Sequence, residues 1–195
     1  MTIPYYDQNG QAFFDRTVNI NLHTLYETYA RYLPANAHIL DAGCGSGRDS
    51  KAFLKRGYAV SAFDASKTMV QLAREYTGLP VKQHTFAEMT YRSQFDGVWA
   101  NASLLHLPYK RLPATFDKIA QAIKHHGMVF MSFKVGQGEH KAPDGRHFTH
   151  FDEAHLRDLI AQFPEFLIES ILQTTDDRGE DYPDWLNVFV RYLGR

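Results

Sequence analysis

A chain of 195 residues, 44% hydrophobic and 22% charged, is long enough for one well-filled core and too apolar for disorder. A formal net charge of −1, with no lysine or arginine run, argues against a surface that tracks a phosphate backbone. One cysteine excludes an internal disulfide and fits a reducing compartment. The opening Met1–Asp7 has no leader pattern and no apolar run approaches a membrane span, so a soluble, cytoplasmic protein is expected.

Residues 5–33 carry two helical patterns. Phe13, Phe14 and Val18, then Leu22, Leu25, Tyr26 and Tyr29, recur at three- and four-residue spacings until Pro34. His38–Asp41 reads as the first strand and Ser46–Arg56 as the helix after it, stopped by Gly57. Tyr58–Asp64 is a second strand, and Ser66 caps a helix to about Tyr76. Val81–Phe86 and Phe95–Ala100 follow as strands, then a long helix from Pro108 to about Lys124, ended by His125-His126-Gly127. Met128–Lys134 is a fifth strand, 135–147 a polar loop, and Asp152 caps a helix to about Phe163. Glu165–Gln173 and Trp185–Tyr192 close the chain as two consecutive strands. Strands alternating with helices predict an α/β fold: a single Rossmann-like, doubly wound, mostly parallel sheet with helices on both faces and a C-terminal antiparallel hairpin.

The chemistry concentrates in Ile39-Leu40-Asp41-Ala42-Gly43-Cys44-Gly45-Ser46-Gly47-Arg48-Asp49, followed about fifteen residues later by Ala62-Phe63-Asp64. Gly43, Gly45 and Gly47 let the backbone turn sharply and approach a ligand, and the helix after them aims free N–H groups at the same spot. Asp64, ending the next strand, suits the two hydroxyls of a ribose; its alternative is an acid stabilised at the start of the next helix. Ala65 beside it lines the same pocket. A nucleoside-containing cofactor follows. Arg48 stands where the dinucleotide fingerprint needs a small residue, which argues against a nicotinamide-dependent oxidoreductase, and no lysine completes a phosphate loop. Cys44 reads as a small filler.

The order Asp-x-Gly-x-Gly-x-Gly, with an acid ending the next strand, resembles the S-adenosylmethionine (SAM) site of the class I methyltransferases. Gly45-Ser46-Gly47-Arg48-Asp49-Ser50 is similar to the loop of the small tellurite-resistance-type branch. The resemblance spans about Tyr5 to Arg191 and implies a SAM-dependent methyltransferase, with S-adenosylhomocysteine (SAH) as product. It implies one domain over 1–195, with residues 1–34 as a helical lid and 35–195 as the cofactor-binding core. Tyr5 and Tyr6 would then cover the site, Tyr6 on the cofactor and Tyr5 on the substrate side. Asp41 would sit near the cofactor's amino group or orient the loop amides, and Glu88 near the adenine amino group. Phe86 is a candidate for stacking on adenine or for the core. Arg48 is left between the methionine carboxylate, an anionic substrate and solvent.

Asn101 follows the fourth strand at the mouth where cofactor and substrate meet, and His106 is the local general-base candidate, with a half-exposed helix histidine as its alternative. Lys134, Arg146, His147, Phe148, Arg178 and Trp185 fall on the substrate side; Lys134 also reads as a snorkelling strand end, and Arg146-His147 as a site for an anionic acceptor. His147 and His150 have a ligand-like spacing with no third ligand, so no metal is expected. The Asn/Asp-Pro-Pro-Tyr/Phe signature of amine methylation on nucleic acid and protein is absent. The expected partner is a small-molecule methyl acceptor, with no membrane and no nucleic acid, and no reading of oligomeric state. A non-catalytic cofactor- or partner-binding module is the alternative.

Overall fold

The computed structural model describes residues 2–176 and 182–194. Strands β1 (His38–Ala42), β2 (Ala59–Asp64), β3 (Lys82–Gln83), β4 (Phe95–Ala100) and β5 (Ile123–Lys134) join β8 (Phe166–Thr174) and β9 (Trp185–Tyr192) in one seven-stranded sheet. Its order is β3-β2-β1-β4-β5-β9-β8, parallel throughout the first five strands. β9 inserts antiparallel between β5 and β8, so the two last strands form the antiparallel hairpin anticipated from the sequence. The helices are α1 (Thr2–Thr17), α2 (His23–Ala30), α3 (Arg48–Lys55), α4 (Lys67–Thr77), α5 (Leu112–Ala122) and α6 (Glu153–Ala161).

The strand period of two sends alternate residues to opposite faces. Val98 and Ala100 of β4 and Val129 and Met131 of β5 meet Phe116 and Ile119 of α5 and Leu156 and Leu159 of α6. Trp99 and Phe130 turn the other way, stack at 3.8 Å, and pack with Tyr26 and Tyr29 of α2 and Phe53 of α3. Burial of each such aromatic contributes about 1.5–3 kcal/mol. Gly97 leaves room for the Tyr29 hydroxyl, which lies on this face of the sheet and donates to the Met128 carbonyl at 2.9 Å. This core holds the C-terminal ends of β1, β2, β4 and β5 in one row, and the candidate site lies above that row.

Five features differ from the sequence reading. The third strand is two residues long, because Thr85 and Glu88 form a reciprocal capping box that starts a 3-10 turn at Phe86. The helix predicted from Pro108 begins at Leu112, after a separate 3-10 turn at Tyr109–Arg111, and β5 already starts at Ile123, which pairs with Phe95. The helix after β1 starts at Arg48, since Gly47 adopts a left-handed φ of 77° as its N-cap. The polar loop 135–147 contains β6 (Gly138–Lys141), paired antiparallel with β7 (His147–His150). Its turn is Ala142-Pro143-Asp144-Gly145, a turn signal by composition, with Gly145 donating to Ala142. Among the described residues no helix is long and apolar enough to cross a membrane.

Candidate active site

At the end of β1 the amides of Gly43 and Cys44 both donate to the Phe63 carbonyl of β2 at 2.9 Å, which bends the loop over the sheet edge. Gly43 has φ 78°, and a Cβ there would lie 2.6 Å from Ser103 Cβ. Ser103 in turn donates to the Ala42 carbonyl at 2.7 Å, tying the loops after β1 and β4 together. Asp64 accepts the amides of Gly45 and Ser66, each at 2.9 Å, which leaves its carboxylate further lone pairs toward the cavity it lines. Burial pushes its pKa up. Ala65, Phe86 and Asn101 line the same cavity, as do Gly43, Gly45, Arg48 and Tyr6.

Three predicted cofactor contacts are placed elsewhere. Asp41 is 2% exposed and sits behind the loop, accepting the Ser50 hydroxyl at 2.6 Å. Burial and the nearby Asp49 charge raise its pKa. Gly47 does not line the cavity; a Cβ there would strike Thr77 and Ala73 of α4, so this glycine serves helix packing. Glu88 is turned back on Thr85, accepting its amide at 2.7 Å and its hydroxyl at 2.8 Å, which holds the carboxyl below its ordinary pKa, and it does not line the cavity. Thr85, Phe86 and Ala87 occupy that part of the lining instead.

The residue that sequence reasoning missed is Asp49. Its carboxylate accepts from Tyr26 Oη (2.5 Å), Arg48 Nε and Nη2 (2.6 and 3.1 Å), Trp99 Nε1 (2.8 Å) and Asn101 Nδ2 (3.0 Å). Burial works against the charge, but the Arg48 guanidinium and these donors hold Asp49 below the usual carboxylate range. Arg48 is therefore committed to Asp49, with Nη1 on the Thr17 carbonyl at 3.4 Å, and is neither solvated nor an open anion receptor. Asn101 passes the order on, accepting from Ser132, whose hydroxyl accepts the Ala102 amide. The sequence signal was an acid in the first helical turn, which reads equally well as a dipole partner.

At the other end of the cavity, His106 Nδ1 lies 2.8 Å from the His147 carbonyl, which only accepts, so Nδ1 carries the proton. His106 Nε2 is then the acceptor for the Tyr6 hydroxyl at 2.9 Å. Burial lowers the His106 pKa from 6.5 to about 4 and pushes Tyr6 up to about 12. The unfolded chain therefore binds a proton here, and the folded chain does not, between about pH 6.5 and 4. Stability from this group is complete above that window and is lost as pH falls through it. Urea unfolding should show His106 removing about 2 kcal/mol between pH 7 and pH 5, and His106→Asn should flatten that slope. Equal slopes in the two proteins would contradict the neutral tautomer.

Arg146 pairs with Asp144 at 2.7 Å, with its guanidinium 4.3 Å from the Tyr5 ring centre and 5.1 Å from that of Phe148. Tyr5 itself does not line the cavity; its ring stands edge-on to Tyr6. His147 bonds Thr149 and Glu139, each at 3.1 Å. Lys134 does not snorkel: it is buried, ion-paired with Asp176, bonded to the Pro183 carbonyl, and 3.7 Å from the Trp185 ring centre. Arg178 lies outside the described residues. His147 and His150 gain no third ligand, and no metal-holding group of three occurs among the described residues. Over both ends runs α1, where Asp7 accepts the Ser66 hydroxyl at 2.6 Å and Thr2 accepts the His147 amide at 2.9 Å.

Residues 39–127 match the family model described as "Methyltransferase domain". The chain is 28% identical over 185 residues to a ubiquinone biosynthesis O-methyltransferase of Xanthomonas axonopodis pv. citri (strain 306), covering 81% of this chain and 72% of that protein. It is 32% identical over 106 residues to a malonyl-[acyl-carrier protein] O-methyltransferase of Erwinia pyrifoliae, covering 51% of this chain and 38% of that protein. Among solved structures, the Burkholderia thailandensis 1,6-didemethyltoxoflavin-N1-methyltransferase with bound 1,6-didemethyltoxoflavin and SAH superposes with a TM-score of 0.79 at 20% identity, covering 96% of this chain and 84% of that one. Magnesium protoporphyrin IX methyltransferase of Synechocystis PCC 6803, also with SAH, gives 0.72 at 18% identity, covering 97% of each chain. The sheet order, the glycine turn with its strand-end acid and the matched family model agree: residues 39–127 carry a methyltransferase domain, on the fold these solved SAH-bound methyltransferases share.

Proposed function

We propose that this protein transfers a methyl group from SAM to a small organic acceptor bound beside His106. The observation that carries the reading is the cavity itself. It has a volume of about 1610 Å³ and runs unbroken from Gly43, Gly45 and Asp64 to His106, Arg146 and Trp185. A pocket for one drug-sized ligand measures about 300–1,000 Å³, so cofactor and acceptor fit together. The lone pairs left on Asp64 suit the nucleoside end.

In this reading Asp64 takes the ribose hydroxyls, and Phe86 with Ala65 flanks the base. Asn101 and Arg48, both held by Asp49, border the methionine end. When bound, SAM supplies a methyl group on a positively charged sulfur, and the chain's task is alignment and exclusion of water. Helix α1 acts as the lid of a single domain, fastened through Tyr6–His106, Asp7–Ser66 and Thr2–His147. The O-methyltransferase names of the related proteins support an oxygen acceptor. Formal charge −1 and the internal pairing of Arg48, Lys134 and Arg146 disfavour a nucleic-acid acceptor. With one cysteine in the chain, we place the protein in the cytoplasm.

Isothermal titration calorimetry with SAH, SAM and NAD in parallel tests this directly. Binding of the first two, with no heat from NAD, is the expected result. No binding of either SAM species would remove the proposal.

A further inference from the structure

Two cations set into the acceptor end already have a carboxylate or carbonyl beside them, while Lys110 and Arg111 line the cavity from exposed positions. Arg146 is bound by Asp144, and Lys134 by Asp176 and the Pro183 carbonyl. An inorganic oxyanion entering here would have to be desolvated against partners that are already engaged. Leu105, Leu107, Pro108, Phe148 and Trp185 add apolar and aromatic wall to this end. At the rim, Ile3 and Tyr182 are 40% and 43% exposed. Such a lining suits a flat apolar ring, which gains from burial and from stacking.

The Tyr6–His106 pair adds the second half of the argument. Nε2 is the one nitrogen of His106 able to accept a proton, and the Tyr6 hydroxyl covers it. A proton reaching His106 therefore comes through Tyr6, whose oxygen keeps a lone pair for an incoming O–H.

Resting on the SAM reading above, we propose that the acceptor is a phenol-class aromatic rather than an inorganic oxyanion, and that Tyr6 is the catalytic residue that relays its hydroxyl proton to His106. The acceptor oxygen forms its bond to the methyl carbon as the methyl–sulfur bond breaks, with that electron pair staying on sulfur. The acceptor proton passes to the Tyr6 oxygen while the Tyr6 proton passes to His106 Nε2, so the positive charge leaves sulfur and ends on imidazole. His106 then releases the proton to water when the product leaves. A strong base is unnecessary, because an oxygen already bonding to a methyl group is far more acidic than the free phenol. A neutral His106 is thus sufficient.

The test uses the full chain with SAH, 2-naphthol and sodium selenite, and does not depend on turnover. Calorimetry with SAH comes first; absence of binding there overturns the cofactor reading rather than the assignment of the acceptor. With SAH bound, 2-naphthol should bind saturably and selenite should give no heat. The fluorescence of 2-naphthol separates its hydroxyl from its naphtholate form, and the bound probe should show a hydroxyl hydrogen-bonded to an acceptor. Tyr6→Phe should remove that signature and weaken naphthol about tenfold beyond any change in SAH affinity, the measure of one hydrogen bond. Trp185→Ala should weaken naphthol by a similar factor through lost ring contact, with SAH affinity kept as the check on folding. Selenite binding without naphthol binding would overturn the proposal, and so would a Tyr6→Phe protein that binds naphthol with unchanged affinity and emission.

Discussion

Asp49→Ala is expected to destabilise the fold by about 3–5 kcal/mol, the usual result of removing one partner from a buried ion pair. Asp49 and Arg48 side chains are 7% and 16% exposed, so the guanidinium left behind is hydrated only in part, through the cavity it lines. The Tyr26 hydroxyl, Trp99 Nε1 and Asn101 Nδ2 lose an acceptor at the same stroke. Typical domains are stable by only about 5–15 kcal/mol, so much of the margin goes. Urea unfolding at pH 7 measures this, with SAH calorimetry on the folded fraction to follow the site. The double change Arg48→Met with Asp49→Leu should recover part of the loss, because no uncompensated charge then remains. A loss below about 1 kcal/mol for Asp49→Ala would mean that its hydrogen bonds do not hold the site together.

Asp64→Ala is expected to weaken SAM and SAH by tenfold or more. Two ribose hydroxyls donating to one carboxylate are charge-assisted hydrogen bonds, each worth about 1.5–3 kcal/mol, and about 1.4 kcal/mol is a factor of ten. The alanine also frees the amides of Gly45 and Ser66, so the loop keeps only its Gly43 and Cys44 ties to β2. Asp64→Asn separates the two effects: it keeps an acceptor oxygen but not the charge, and should fall between wild type and alanine. Because burial raises the Asp64 pKa, affinity should also fall as pH drops toward that value from above. Unchanged affinity in the alanine variant would count against the cofactor pose.

Local patterns carried most of the architecture. Period-two runs such as Val98-Trp99-Ala100 marked strands, Ser66 and Asp152 marked caps, and Gly43 with Gly45 marked the turn; each is a property of a few neighbouring residues, so neighbours alone reveal it. The cofactor class was legible for the same reason, since the loop and Asp64 belong to consecutive elements, β1 and β2. The short β3 and the β6–β7 hairpin are not legible from apolar pattern: β3 ends at the Thr85/Glu88 capping box, and β6 is exposed throughout, so only the turn chemistry of Pro143-Asp144-Gly145 marks the hairpin.

Side-chain partners were a different matter. Asp41 and Glu88 carry the right chemistry at nearly the right places, yet one lies behind the loop and the other folds back on its own cap. Asp49 gathers donors from α2, α3, β4 and the residue after β4, and Tyr6 meets His106 across 100 positions of sequence. Composition and spacing place a carboxylate on a helix or an imidazole after a strand. Which donor each one meets depends on how the helices close over the sheet, because hydrogen bonds and desolvation act over a few ångströms of space, whatever the distance along the chain.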